Sequence, residues 1–216
     1  VDRYGCAIIE EANALGIRAR DESEMQDLLS EPCVEVVVSI LRLATSKRDP
    51  KSWQEILHLL AYLRGEHPDE ASFLVIEREF QGFFTELAVE CGKLENSPSV
   101  DGVSRLIQTV FDFIGVEKFK AHYSQYEQGA YFKDTLKKAS RYLFSYLSES
   151  RDFRESVAAF CGHDSVPIMT IHKSKGLEYD AIFFVGLEDG AFWKYTNQAH
   201  EEKCAFFVAF SRAKQR

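Results

Sequence analysis

The stretch Thr170-Ile171-His172-Lys173-Ser174-Lys175-Gly176-Leu177-Glu178-Tyr179-Asp180 sets a turn-forming glycine, a carboxylate and several phosphate-seeking groups between two apolar runs. The run before it, Val166-Pro-Ile-Met-Thr-Ile171, and the run after it, Ala181-Ile-Phe-Phe-Val185, are short, β-branched and aromatic. That composition predicts two buried parallel strands. In an α/β sheet ligands gather at the carboxyl ends of strands, and His172 and Lys173 fall where the first strand would end. The stretch therefore reads as a site and not as a connector.

The chain has 216 residues, enough to bury a sizeable core in one domain or two small ones. It has no apolar run long enough to span a bilayer and no signal-peptide pattern at its start. No membrane partner is expected, and a cytoplasmic location is the default. Cys6, Cys33, Cys91, Cys161 and Cys204 are scattered and form no C-x-x-C pair, which predicts free thiols in a reducing compartment. Cys161 with His163, and His200 with Cys204, could ligate zinc, but their spacings do not fit closed sites and no metal site is predicted.

A net charge of −8 runs against phosphate binding, which Lys and Arg normally supply. The average hides a local pattern. Lys133, Lys137 and Arg141 recur at i, i+4 and i+8, with Lys118, Lys120 and Lys138 near in sequence. On a helix the three form one basic stripe, either a solvated face or a track for DNA.

Residues Asp2 to Leu15 have helical spacing, and Gly16 offers a stop before the strand-like Ile17-Arg-Ala-Arg20. Helical segments follow at Val34 to Ala44, Trp53 to Leu63, Phe73 to Leu87, Val103 to Ile114 and Leu136 to Leu147. Val34-Glu-Val-Val-Val38 has β propensity, but its continuation through Ile40, Leu41 and Leu43 favours helix. Breaks are expected at Lys47-Arg-Asp-Pro50, Gly65-Glu-His-Pro68 and Asn96-Ser-Pro-Ser99. Most aromatics sit at core-spaced positions. Tyr123, Tyr126, Tyr131 and Phe132 lie in a less periodic segment and stay open to a base-stacking role. The predicted class is α/β and mostly helical.

A second stretch completes the pattern. His200-Glu-Glu-Lys-Cys-Ala-Phe-Phe-Val-Ala-Phe-Ser-Arg-Ala-Lys214 has an acidic start, an apolar helix and a closing Ser-Arg-Ala, and Gly186-Leu-Glu-Asp-Gly190 precedes it. The two stretches, in this order, resemble motifs V and VI of the UvrD/Rep-type superfamily 1 DNA helicases. Leu41-Arg-Leu-Ala44 followed by Arg48-Asp-Pro50 and Trp53 resembles the way that family enters its helical insertion. The resemblance implies a partial RecA-like parallel-sheet domain interrupted by an all-α insertion subdomain. Residues 1–20 and 164–216 would belong to the RecA-like domain and residues 21–163 to the insertion.

What the resemblance implies for chemistry is a portion of an ATP-dependent DNA helicase or translocase. ATP and Mg²⁺ would be bound jointly with an amino-terminal motor domain of the same polypeptide, because this sequence has no G-x-x-x-x-G-K-[ST] loop. The chain, which begins without Met and stops just after the second motif, is expected to be an excised, monomeric portion that does not hydrolyse ATP alone. Arg212 matches the motif VI arginine that meets the γ-phosphate, and Glu178 the motif V carboxylate that accepts from the ribose hydroxyl, with Gly176 permitting the tight backbone path between motif residues. A surface salt bridge is the plain alternative for Arg212 and Glu178. Thr170 and His172 match positions that contact single-stranded DNA, with Lys173 and Lys175 beside them. Because His172 and Glu178 share one loop, strand contact and nucleotide contact would be coupled, with movement 3′ to 5′ by family analogy.

This sequence departs from the family in three places. The insertion lacks the Gly-Ile-Gly turn with which some members grip duplex phosphates, which counts against duplex DNA as a partner of the insertion. Lys203-Cys204 stands where a pair of arginines is common, and Ser211 stands where Thr is usual, a change that keeps the hydroxyl. A non-catalytic protein-interaction module derived from a helicase is the alternative reading of the whole.

Overall fold

In a computed structural model the described residues are 3–46, 50–64, 70–185 and 199–214, and they form a mostly helical α/β chain with one small parallel sheet. Gly186-Leu-Glu-Asp-Gly190 and the breaks at 47–49 and 65–69 lie outside the described residues. The chain divides into two compact units, Val1–Met25 with Ser165–Arg216, and Gln26–Asp164.

The first unit opens with α1, Arg3–Ala14. It ends where Gly16 takes φ +76°, with the Gly16 amide donating to the Asn13 carbonyl and the Ile17 amide to the Ala12 carbonyl. This paired closure needs a residue in the left-handed region, which glycine adopts without a Cβ clash. Strand β1, Ala19–Asp21, pairs in parallel with β2, Val166–Ile168, Ala19 lying opposite Val166 and Asp21 opposite Ile168. The buried guanidinium of Arg20 is neutralised by Glu22, with Nε 2.7 Å from Oε1, as a buried cation requires.

The strand expectations need correction. The first predicted strand is real only over Val166–Ile168, and residues 181–185 form no strand. Their side chains are also open, with Phe183 89% and Val185 63% exposed. β propensity describes how a residue fits a pleated, half-buried surface, and a strand exists only where a partner completes its ladder. Among the described residues that partner appears one step earlier, where Tyr179 makes a single parallel bridge with Ala213.

The second unit is helical. Helices α3 (Pro32–Ser46), α4 (Pro50–Leu63), α5 (Glu70–Asn96), α6 (Val100–Ile114), α8 (Tyr131–Ser150) and α9 (Phe153–Phe160) are its bulk, with α2 (Glu22–Leu29) leading in and the short α7 (Val116–His122) joining α6 to α8. Helix α3 packs on α4, α5, α8 and α9, burying Val34, Val37, Ile40, Leu41 and Ala44. Cys33, Val36, Val38 and Leu43 are buried too, and among the described residues of α3 only Glu35 and Arg42, two turns apart, are exposed, so packing on nearly every side holds the segment as helix against the β propensity of Val34 to Val38. Trp53 of α4 lies 4.5 Å, ring to ring, from Phe80 of α5. Helix α6 begins at Ser99, whose hydroxyl accepts from the Gly102 amide at 3.0 Å. A Cβ at Gly102 would sit 2.5 Å from Leu94 Cδ2, so glycine there lets α6 and α5 approach.

Of the four aromatics left open by the sequence, Tyr126 and Phe132 are core residues, whereas Tyr131 is exposed. Tyr126 is 1% exposed and Phe132 is buried, and both join Phe111 and Phe119 in one cluster. Tyr126 donates to Glu31 Oε2 at 2.6 Å and accepts from the Cys33 amide, while the Tyr131 hydroxyl donates to Glu31 Oε1. Each hydrogen bond to a charged partner of this kind contributes about 1.5–3 kcal/mol. Burial, reinforced by side-chain bonds to Cys33 and Glu31 and partly offset by the Cys33 amide, pushes the Tyr126 phenol well above its ordinary range. Tyr123 is half-buried against Phe119.

Candidate functional site

The segment after β2 closes at once into a compact turn. The Lys173 and Ser174 amides donate to the Thr170 carbonyl at 3.1 and 3.2 Å, and the Leu177 amide donates to the Ser174 carbonyl at 3.1 Å. The Ser174 hydroxyl donates to the Ile171 carbonyl at 2.7 Å, which uses a side chain to satisfy backbone the strand no longer satisfies. Gly176 takes φ +87° at the end of this turn, a conformation that a Cβ would strain. Thr170, His172 and Glu178 are exposed, and Lys173 is half-buried.

Helix α10, Ala199–Phe210, delivers the second set of residues. Past its end the Tyr179 amide donates to the Arg212 carbonyl and the Lys214 amide to the Tyr179 carbonyl, each at 2.9 Å. The Lys214 ammonium pairs with Asp180 at 3.3 Å. The Tyr179 hydroxyl lies 3.8 Å from Met169 Sδ, and burial together with the charge of Glu22 raises its pKa despite Arg20. Tyr179 thus turns inward and Glu178, its neighbour, outward.

Arg212 is the junction. It is half-buried, and its guanidinium donates from Nε to the Val208 carbonyl at 3.0 Å, from Nη1 to the Leu177 carbonyl at 3.3 Å and from Nη2 to the Ser211 hydroxyl at 2.8 Å. The Ser211 hydroxyl in turn donates to the Val208 carbonyl at 2.9 Å. Arg212 thus binds two carbonyls and a hydroxyl of the described residues. The bond to Leu177 brings Arg212 against the residue that precedes Glu178 in the chain. Arg212 and Glu178 are the residues the sequence singles out, whereas the contact to the Leu177 carbonyl is one that no side-chain pattern encodes.

Beside this junction a cavity of about 570 Å³ is lined by Ile182, Phe184, Phe207, Phe210, Ser211 and Ala213. The described residues of its lining are mostly apolar. Lys133, Lys137 and Arg141 lie on α8 in the other unit, all exposed, and form the stripe their spacing predicted. Among the described residues no group of His, Cys, Asp and Glu could hold a metal ion.

A parallel strand leads into a tight polar turn that is met by an arginine from the end of a helix, in a chain of α/β class. Comparison with known proteins gives the family: residues 99–216 match the UvrD-like helicase C-terminal domain, and the chain belongs to that family. It is 36% identical over 59 residues to the ATP-dependent DNA helicase PcrA of Bacillus subtilis, a match covering 25% of this chain and 8% of that protein. It is 32% identical over 92 residues to DNA helicase II of Escherichia coli, covering 34% of this chain and 13% of that one. It is 33% identical over 78 residues to the ATP-dependent DNA helicase UvrD1 of Mycobacterium bovis, covering 30% and 10%. The chain thus spans only a small part of the length of the curated relatives it matches. No described helix is long and apolar enough to cross a membrane.

Proposed function

We propose that this chain is the second motor half of an ATP-dependent DNA helicase or translocase, a RecA-like portion with a helical insertion that closes over nucleotide held by a P-loop domain elsewhere in the same polypeptide. The observation that carries the reading is the bond from Arg212 to the Leu177 carbonyl, which joins the two motif segments of one family at one point. The parallel pair β1–β2 and the divided unit around it support the RecA-like assignment.

The residues present fit an ATP phosphate. One N–H of each guanidinium nitrogen is engaged by protein, which leaves one N–H on each terminal nitrogen of Arg212 for an anion. ATP with Mg²⁺ supplies the transferable phosphoryl group and the metal charge that neutralises it. Arg212 would stabilise the charge that grows on the phosphate oxygens, a contribution of about 10³–10⁵ in rate for arginines in that role. Glu178 would accept from the ribose hydroxyl, and Gly176 keeps the backbone path to it open. Mg²⁺ ligands would come from the P-loop domain.

Thr170, His172 and Lys173 would donate to phosphates of single-stranded DNA, positioning the strand without reading its sequence. Lys133, Lys137 and Arg141 would add a second phosphate track. The complete polypeptide should hydrolyse ATP faster with single-stranded DNA and move along it, whereas the isolated chain should show no turnover above background. Turnover by the rigorously repurified chain, or none by the complete protein, sinks the proposal.

A further inference from the structure

Resting on the reading that Arg212 meets a phosphate, we propose that Ser211 is the positioning residue that sets the guanidinium before nucleotide arrives. Its hydroxyl has one proton and two lone pairs. The proton goes to the Val208 carbonyl at 2.9 Å, so a lone pair is left facing Arg212 Nη2 at 2.8 Å. Val208 closes the ring by also accepting from Arg212 Nε at 3.0 Å. The Ser211 hydroxyl and the Arg212 side chain therefore share one carbonyl of α10's last turn, and the rotamer of each fixes the other.

The remaining contact, Nη1 to the Leu177 carbonyl, comes from a different segment and is the longest of the set at 3.3 Å. A guanidinium held along one edge by its own helix end and tethered on the far side is planar, oriented and still has an N–H on each terminal nitrogen. A planar fork of this kind can meet phosphate oxygens through its remaining N–H groups. Preorganisation of this sort acts on the step in which charge develops, because the donor is aligned before the reaction begins.

The inference separates from a merely structural role by shape-matched substitutions in the complete polypeptide. Ser211→Thr keeps the hydroxyl and Ser211→Val has the bulk of that threonine without it, with Ser211→Ala as the small variant. The Thr variant should keep DNA-stimulated kcat near the original. The Val and Ala variants should lose about tenfold in kcat with KM for ATP changed much less, as expected for one hydrogen bond to a charged group felt mainly in the transition state.

A readout independent of turnover is equilibrium affinity for ADP with aluminium fluoride against ADP alone. The Val and Ala variants should lose preference for the fluoride complex, and the Thr variant should not. Equal kcat and equal fluoride preference for the Thr and Val variants overturns the inference. Arg212→Ala, run alongside, distinguishes the levels. If it too leaves turnover intact, the underlying reading of Arg212 fails; if it abolishes turnover while the Ser211→Val protein behaves normally, only the positioning role fails.

Discussion

Tyr179 and Ala213 face each other in a single parallel bridge, and the residues flanking it are the ones on which the functional reading rests. Glu178 and Asp180 lie to either side of Tyr179, and Arg212 and Lys214 to either side of Ala213. Asp180 pairs with Lys214, whereas Arg212 turns to the Leu177 carbonyl and not to Glu178. One flanking pair is joined by charge, and the other is not paired among the described residues.

Arg212→Ala in the complete polypeptide should abolish DNA-stimulated ATP hydrolysis, by about 10³-fold or more, while nucleotide affinity falls less. Arg212→Lys should not rescue it, because an ammonium cannot reproduce the planar fork. Steady-state kinetics with parallel nucleotide-binding measurements check this, and near-normal turnover by the lysine variant would refute it.

His172→Ala should weaken single-strand affinity across sequences by about 0.5–3 kcal/mol and leave ATP affinity without DNA nearly unchanged. His172 is exposed, so its loss should cost little thermal stability. Normal DNA affinity together with normal stimulation of ATPase would remove it from the strand contact.

The α8 stripe is tested by reversing its charge with Lys133→Glu, Lys137→Glu and Arg141→Glu together. Between residues 118 and 141 six Lys and Arg stand against two Asp and Glu, in a chain of net charge −8. If the stripe tracks phosphates, log affinity against log salt should become shallower by about 2–3 units. An unchanged slope would make it a solvated helix face.

Alkaline pH should destabilise the helical unit through its buried thiols. Burial, with Glu95 adding to it, pushes Cys91 up to about 12, and burial with Glu31 pushes Cys33 up to about 11. The unfolded thiols ionise near 9.0, so between about pH 9 and 12 the folded state binds more protons and stability falls as pH rises. Below that window the contribution is fully present. Melting temperatures from pH 7 to 11 should fall less steeply in Cys91→Ala, and an identical slope would discount the thiol.

The elements that the sequence made legible are those whose period is long enough to count. Helices α3 to α6 and α8 each repeat an apolar face over several turns, and Gly16 marked the end of α1. Helices α2, α7 and α9 have 8, 7 and 8 residues, too short for a period, and depend on local devices such as Asp152 accepting from the Glu155 amide. Residues 181–185 read as a strand because their composition is right, but composition does not supply a neighbour. At the site, side-chain identities were readable and the joining contacts were not, since a backbone carbonyl such as that of Leu177 looks the same in every residue.

The parallel register has a consequence for how the molecule assembles. The chain leaves the sheet at Asp21 and returns at Val166, points about 8 Å apart by strand geometry, with the whole helical unit strung between them. From an unfolded chain, closing so large a ring carries an entropic penalty that grows with its length. Once the helices have docked on one another, the ring is already drawn shut and the sheet forms almost without that penalty. Pulse-labelled hydrogen exchange should therefore protect the amides of α6 and α8 before that of Val166, which donates to the Arg18 carbonyl at 2.8 Å; the reverse order would contradict it.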